Sequence, residues 1–260
     1  MLARLINLNL FRLRRSASTY IIIGAFAAFM VMIFTVMLGS QMIESGKAEF
    51  SDVSSNITAG GLFQYVIAGD VLCLFVSIGA AVFIHGEVSN GNLKNIYGKV
   101  PQKYMLIVSK IAAIFQMILA FVLIGLIASV VASLVFPPHS ISFGDHVGAL
   151  VRFALVHMLL LTAAASLTIC FNMITRSTMA TLIASFLFCQ FGIAITSFLT
   201  TQIHKFSEFT LSDYTLLGNM YAITPESTGT ECLRAVIVAV VVIAATTMIG
   251  AKAISRTDVK

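Results

Sequence analysis

Six long apolar runs, at about residues 20–38, 63–84, 108–136, 150–171, 179–199 and 235–254, fill most of this 260-residue chain. A hydrocarbon core of roughly 30 Å takes about 20 residues of helix, so each run is long enough to cross a bilayer. In lipid, backbone groups must be hydrogen-bonded within their own segment or in a closed barrel. Barrel strands alternate in polarity over about ten residues, whereas 20–38 and 235–245 are apolar on every face. The expected fold is therefore an all-α integral membrane protein with six transmembrane helices, forming one transmembrane domain over residues 1–260. With 58% hydrophobic and 10% charged residues, the composition leaves no room for a soluble domain. The first run exceeds the 7 to 15 residues of a signal-peptide core, so it counts as a span.

Charge orients the bundle. An even number of spans puts both termini on one side, and 12 of the 16 Lys and Arg residues fall on that side: Arg4, Arg12, Arg14, Arg15, Lys94, Lys99, Lys103, Lys110, Arg176, Lys252, Arg256 and Lys260. Lys47, Arg152, Lys205 and Arg234 fall on the other. The positive-inside rule then makes both termini cytoplasmic, and the basic balance reports topology, with no nucleic-acid partner implied. Cys73, Cys170 and Cys189 lie within spans and Cys232 near the outer face, a spacing with no look of a disulfide framework. Asn56, Ile57 and Thr58 match a glycosylation acceptor, a weak three-residue signal.

The pieces between spans carry more information. Residues 1–19 place Leu2, Leu5, Ile6, Leu10 and Leu13 at helical spacing among Arg4, Asn7, Arg12, Arg14 and Arg15, which predicts an amphipathic helix lying in the membrane interface. Its plainer reading is a basic flank that sets topology. In the loop 85–104, Leu93, Ile96 and Tyr97 fall at i, i+3 and i+4 before Gly98 and Pro101. That is a short helix with one apolar face for a soluble partner to grip, or else a solvated loop. Gly91 and Gly98 are too far apart for a phosphate loop, and Val100 rather than Ser or Thr follows Lys99. No metal-protease or nucleophile-elbow pattern occurs either. The outer loop 200–234 holds Phe206, Phe209, Leu211, Tyr214, Leu216, Leu217, Met220, Tyr221 and Ile223, too apolar for free solvation, so re-entrant or interfacial helices are expected there.

Ionisable groups inside spans are functional candidates by default. Asp70 and His157 each lie about seven residues, roughly 10 Å, below the outer ends of their spans, with Arg152 above His157 on the same helix. Pairing of Asp70 with Arg152 or His157 is geometrically open, as a structural pair or as part of a pathway. Gln116, Asn172 and Gln190 read as interhelical hydrogen-bond formers, and Lys110 is placed to snorkel to the interface.

Taken together, the chain resembles the permease subunits of type-2, exporter-type ABC transporters. The resemblance rests on the basic lead, on Glu87, Gly91, Leu93, Lys94, Pro101 and Lys110 around the loop after span two, on Ile223, Thr224 and Pro225 before the last span, and on the tail from Ser255 to Lys260. Asn92 and Lys103 depart from the threonine and arginine frequent in that family. The resemblance implies a dimer with a second copy or a similar permease, in the plasma (inner) membrane of a bacterium. Two ATP-binding subunits would supply the ATP and magnesium chemistry, and no cofactor belongs to this chain. It also implies a coupling helix bearing Glu87, Gly91, Leu93, Lys94, Ile96 and Tyr97, an elbow helix over residues 1–19, and short re-entrant helices after span five.

Substrate would pass between subunits along spans one, two and five, past Phe26, Phe29, Phe34, Phe75, Phe186 and Phe191, residues that ordinary core or lipid packing also explains. An apolar, Met- and Phe-rich interior favours a hydrophobic or amphipathic cargo, and the size of the subunit resembles peptide-export and bacteriocin-immunity members. The competing class is an ion-coupled secondary transporter with Asp70 and His157 in its pathway, which would use broken helices near the midplane; Gly69 beside Asp70 is the only hint of such a break. A membrane-embedded enzyme would need clustered catalytic groups, and none are visible.

Overall fold

A computed structural model describes residues 1–45, 58–89, 102–135, 143, 147–204 and 211–257. All regular structure among them is helical: α1 (Leu2–Arg15), α2 (Ala17–Ser45), α3 (Ala59–Ala68), α4 (Asp70–Ser89), α5 (Tyr104–Val135), α6 (Val147–Thr175), α7 (Thr178–His204), a 3-10 turn (Leu211–Tyr214), α8 (Leu216–Ala222) and α9 (Gly229–Thr257). By length and apolarity, Ala17–Val36, α5, α6 and Gly229–Ser255 are each able to cross a membrane, and α3 with α4 makes a fifth if the bent pair is one span. In α7 the apolar stretch Thr178–Gly192 is shorter than a span by the same measure.

By hydropathy residues 63–84 read as one run, with Gly69 beside Asp70 the only hint of a break. Gly69 adopts an extended conformation, φ −72° and ψ 145°, which interrupts the helical hydrogen bonds and turns α4 by 51° from α3. Thr58 starts α3 four residues earlier than the hydropathy alone indicates, its hydroxyl accepting from Gly61 N at 3.1 Å. Gly60 sits against Phe143, where a Cβ would stand 3.1 Å from the carbonyl oxygen, so the small residue admits that backbone.

The core is built around α6, which packs on α4, α5 and α7 and most extensively on α9. Its Ala163, Ala164 and Ala165 are buried, and small side chains let helices approach closely where lipid supplies no hydrophobic drive. Polar pairs cross between helices: Ser166 Oγ to Thr246 Oγ1 at 2.9 Å, Thr168 Oγ1 to Ser185 Oγ at 3.2 Å, and Asn172 Nδ2 donating to Thr181 Oγ1 at 3.2 Å. Each such bond contributes about 0.6 kcal/mol, so close packing carries more of the bundle than these pairs do. Cys73 and Cys189 are free thiols whose sulfurs meet at 3.2 Å between α4 and α7, a neighbourhood with no signature in the sequence.

At α5, 32 residues make a helix of about 48 Å, well beyond the roughly 30 Å of hydrocarbon. Residues 117–135 carry no charge or amide and suffice to cross, so the Tyr104 end is more helix than a crossing needs. The lead helix docks on that end. Asn9 Nδ2 donates to Ser109 Oγ at 2.9 Å, both buried. Gln116, its amide oxygen turned to the guanidinium, accepts from Arg14 Nε and Nη2 at 3.2 and 2.7 Å. Leu13 is buried while Phe11 and Leu8 stay exposed, with the Arg15 guanidinium 5.0 Å above the Phe11 ring. Ser16, extended at φ −78° and ψ 118°, separates this helix from α2.

Candidate functional site

Two regions hold the residues singled out by the sequence. The first is the basic end of the bundle, where α4 runs toward the 85–104 connection. Glu87 lies on the last turn of α4, so the helix continues past its apolar run into the segment expected to couple. Gly91, Leu93, Lys94, Ile96 and Tyr97 lie outside the described residues. One turn before the end of α4, His85 Nδ1 and Thr178 Oγ1 are 2.6 Å apart, tying α4 to the first residue of α7.

The corner between α6 and α7 is itself stiff. Arg176 takes φ 53° and donates its backbone N–H to Asn172 O at 2.8 Å, closing α6 with a left-handed cap in which arginine stands where glycine is usual. Thr175, Ser177 and Thr181 hydrogen-bond around it.

The second region is the opposite end. Arg152 Nη2 donates to Ser227 O at 2.7 Å and Pro225 O at 3.3 Å. His157, fully buried, sets Nε2 2.9 Å from Met220 O and Nδ1 3.2 Å from Phe153 O. Both side chains hold the segment between α7 and α9. Within it, Thr215 caps α8 by accepting from Gly218 N at 3.2 Å, and Asn219, fully buried, donates to Asp213 O and Thr215 O at 2.8 Å each. Asp213 forms an ion pair with Arg234 at 2.8 Å. Thr228 N donates to Glu231 Oε2 at 2.8 Å and Glu231 N to Thr228 Oγ1 at 3.4 Å, a capping box that starts α9.

Asp70 joins neither residue. It begins α4 at the break, half-buried, and makes no hydrogen bond or ion pair among the described residues. It lines a cavity of about 600 Å³ together with Met30 and Ile33 of α2, Gln64 and Tyr65 of α3, and Tyr221 of α8. Arg152 and His157 do not line it.

The six phenylalanines divide. Phe26 and Phe34 are buried. Phe26 stacks edge-on against Phe75 and Phe121 at centroid distances of 5.3 and 4.9 Å, and Phe29 lies 5.8 Å from Phe75. That cluster is core between α2, α4 and α5, and its Phe121 was not singled out by the sequence. Phe186 and Phe191 are exposed on α7. None of the six lines the large cavity. Gln64, Tyr65 and Tyr221 do. Gln64 and Tyr65 carry no motif at the start of their span, and Tyr221 stands out in the sequence only as one of the apolar residues of the outer loop. Among the described residues, no group of three or more His, Cys, Asp and Glu side chains could hold a metal ion.

No curated protein matches the chain. The family model described as "ABC-2 family transporter protein" matches residues 5–192, which takes in α1 to α6, the α6–α7 corner and the apolar part of α7. That is well over half of the 260 residues, and the helices make a multi-pass membrane protein of the kind this family comprises, membrane components whose ATPase is separate: the chain belongs to the ABC-2 family of transporter proteins.

Proposed function

We propose that the chain is the membrane subunit of an ATP-driven exporter that moves an amphipathic or hydrophobic substrate, a peptide foremost, out of the cell or its membrane. It pairs with a second copy of itself and carries two ATP-binding subunits at its basic end, which is cytoplasmic in a bacterial plasma membrane. Six crossings complete the topology. The sixth is α7, whose 27 residues give about 40 Å of helix, ample for a bilayer.

The observation that carries this reading is the course of α4. One uninterrupted helix runs from Asp70 at the cavity to Glu87 beside the 85–104 connection, a lever of about 25 Å. Closure of the ATP-binding subunits pushes the connection, α4 transmits the displacement to the break at Gly69, and His85 carries α7 with it through Thr178. The lead helix on α5 holds the fixed side. Leu93, Ile96 and Tyr97 offer the apolar face that the ATPase grips, with Glu87, Gly91 and Lys94 around it.

The ion-coupled alternative has one point in its favour, a carboxylate at a broken helix. It asks for Asp70 and His157 in a common pathway, however, and His157 is occupied with the Met220 carbonyl and away from the cavity. A pull-down of the tagged chain in mild detergent separates the two. The expected result is a stoichiometric nucleotide-binding partner with ATPase activity. Recovery of the folded chain alone would move the reading to a carrier centred on Asp70.

A further inference from the structure

The cavity at the α3–α4 break has a chemistry of its own. Its walls are mainly apolar, from Met30, Ile33 and neighbouring valines and alanine, and Asp70 is its one charged lining residue. The two basic groups that could have neutralised Asp70 are committed to backbone carbonyls, Arg152 to Ser227 and His157 to Met220. A carboxylate at membrane depth without a partner is costly, and such groups mark sites where a charge is received. The hydroxyl of Tyr221 adds a second observation, since it is buried and has no hydrogen-bond partner among the described residues although the residue lines the same cavity.

Sign and size narrow the ligand. The first turn of α4, where Leu72 N already donates to Gly69 O, brings at most roughly half a positive charge, less than the full negative charge of the carboxylate, so the net field in the cavity is negative. A volume of about 600 Å³ belongs to the range of small-molecule pockets, about 300 to 1,000 Å³, far more than a bare inorganic ion fills. Tyr65 and Tyr221 also line the cavity, and tyrosine rings attract organic cations.

We propose that this cavity is a binding site for an amphipathic organic cation, such as a hydrophobic ammonium or a basic side chain flanked by apolar groups. Asp70 pairs with the positive charge, Gln64 and the Tyr221 hydroxyl take its hydrogen-bond donors, and Met30 and Ile33 hold its apolar body. The proposal rests on the permease reading for its meaning as a cargo site, and it makes the cargo of that permease cationic.

The test uses the full chain in mild detergent and two probes of nearly the same shape and opposite charge, tetraphenylphosphonium and tetraphenylborate, in equilibrium dialysis. With each probe dialysed separately, saturable binding of the cation and none of the anion are expected. Asp70→Asn should weaken it about tenfold or more, equivalent to about 1.4 kcal/mol, while Asp70→Glu stays within about threefold of the parent. Equal binding of the two probes by the unaltered chain, or no saturable binding, would overturn the site without any variant having to fold. Ala68→Trp, which fills the wall and keeps Asp70, must also weaken binding; undiminished affinity in it or in Asp70→Asn would count against the proposal. No ATP or ATPase enters the assay. Loss of the cation site beside an intact ATPase complex defeats this inference alone, whereas a cation site in a chain that recruits no ATPase defeats the permease reading and leaves the site standing.

Discussion

His157 shows how a single buried polar group organises one end of the bundle. It joins α6 to the carbonyl of Met220, 63 positions away in sequence, and a buried carbonyl stripped of its donor costs about 1 to 3 kcal/mol. His157→Ala should therefore lower the melting temperature of the detergent-solubilised chain by several degrees, while His157→Gln, which retains a donor, recovers part of the loss. An unchanged melting curve for His157→Ala would contradict this anchoring role. Arg176 gives the opposite sign. A side chain at φ 53° bears a left-handed penalty of about 1 kcal/mol, so Arg176→Gly should raise the melting temperature slightly, measured the same way. Hydropathy flags His157 as a costly resident of a span, which is why the sequence picks it out. Its partner is a backbone carbonyl in a distant short helix, and no side-chain pattern encodes that. Asp70 is the converse case, legible as an ionisable group but assigned partners that turn out to be engaged elsewhere.

At the scale of elements, the sequence reads long apolar helices well because lipid leaves the backbone so few choices, and it reads breaks badly because a bend changes no residue's hydropathy. Residues 63–84 give no warning of the turn at Gly69 beyond the glycine itself, and glycines are frequent in membrane helices. The site follows the same division. The lead helix appears in the sequence as a periodic pattern, yet its grip on α5 through Asn9, Ser109, Arg14 and Gln116 pairs residues about a hundred positions apart. Close approach between α9 and its neighbours is likewise invisible until the helices are packed. Gly250 sits where a Cβ would come within 2.7 Å of Ile107 Cδ1 and 3.9 Å of Cys170 Cα. Ile107 ends in a flexible methyl, so Gly250→Ala should be nearly tolerated. Gly250→Leu should cost about 1 to 3 kcal/mol through overpacking, read as a lower melting temperature and more aggregation on size-exclusion chromatography. Equal stability of the two variants would mean that α5, α6 and α9 are looser there than described.

In the whole molecule, one continuous helix joins the cavity at the α3–α4 break to the connection at the basic end, with α7 tied alongside by His85 and Thr178. In the ABC-2 family the ATPase is a separate component, so under the proposed function the decisive property of this chain is mechanical coupling. The most direct measurement is ATP hydrolysis by the reconstituted complex, with and without a hydrophobic peptide substrate, for the parent and for a Glu87→Ala, Leu93→Ala, Ile96→Ala triple variant. The account predicts substrate-stimulated hydrolysis in the parent, and in the variant either loss of the ATPase from the complex or hydrolysis that no longer responds to substrate. Full stimulation in a variant that still binds its ATPase would contradict the account, because the drive would then enter somewhere other than the end of α4.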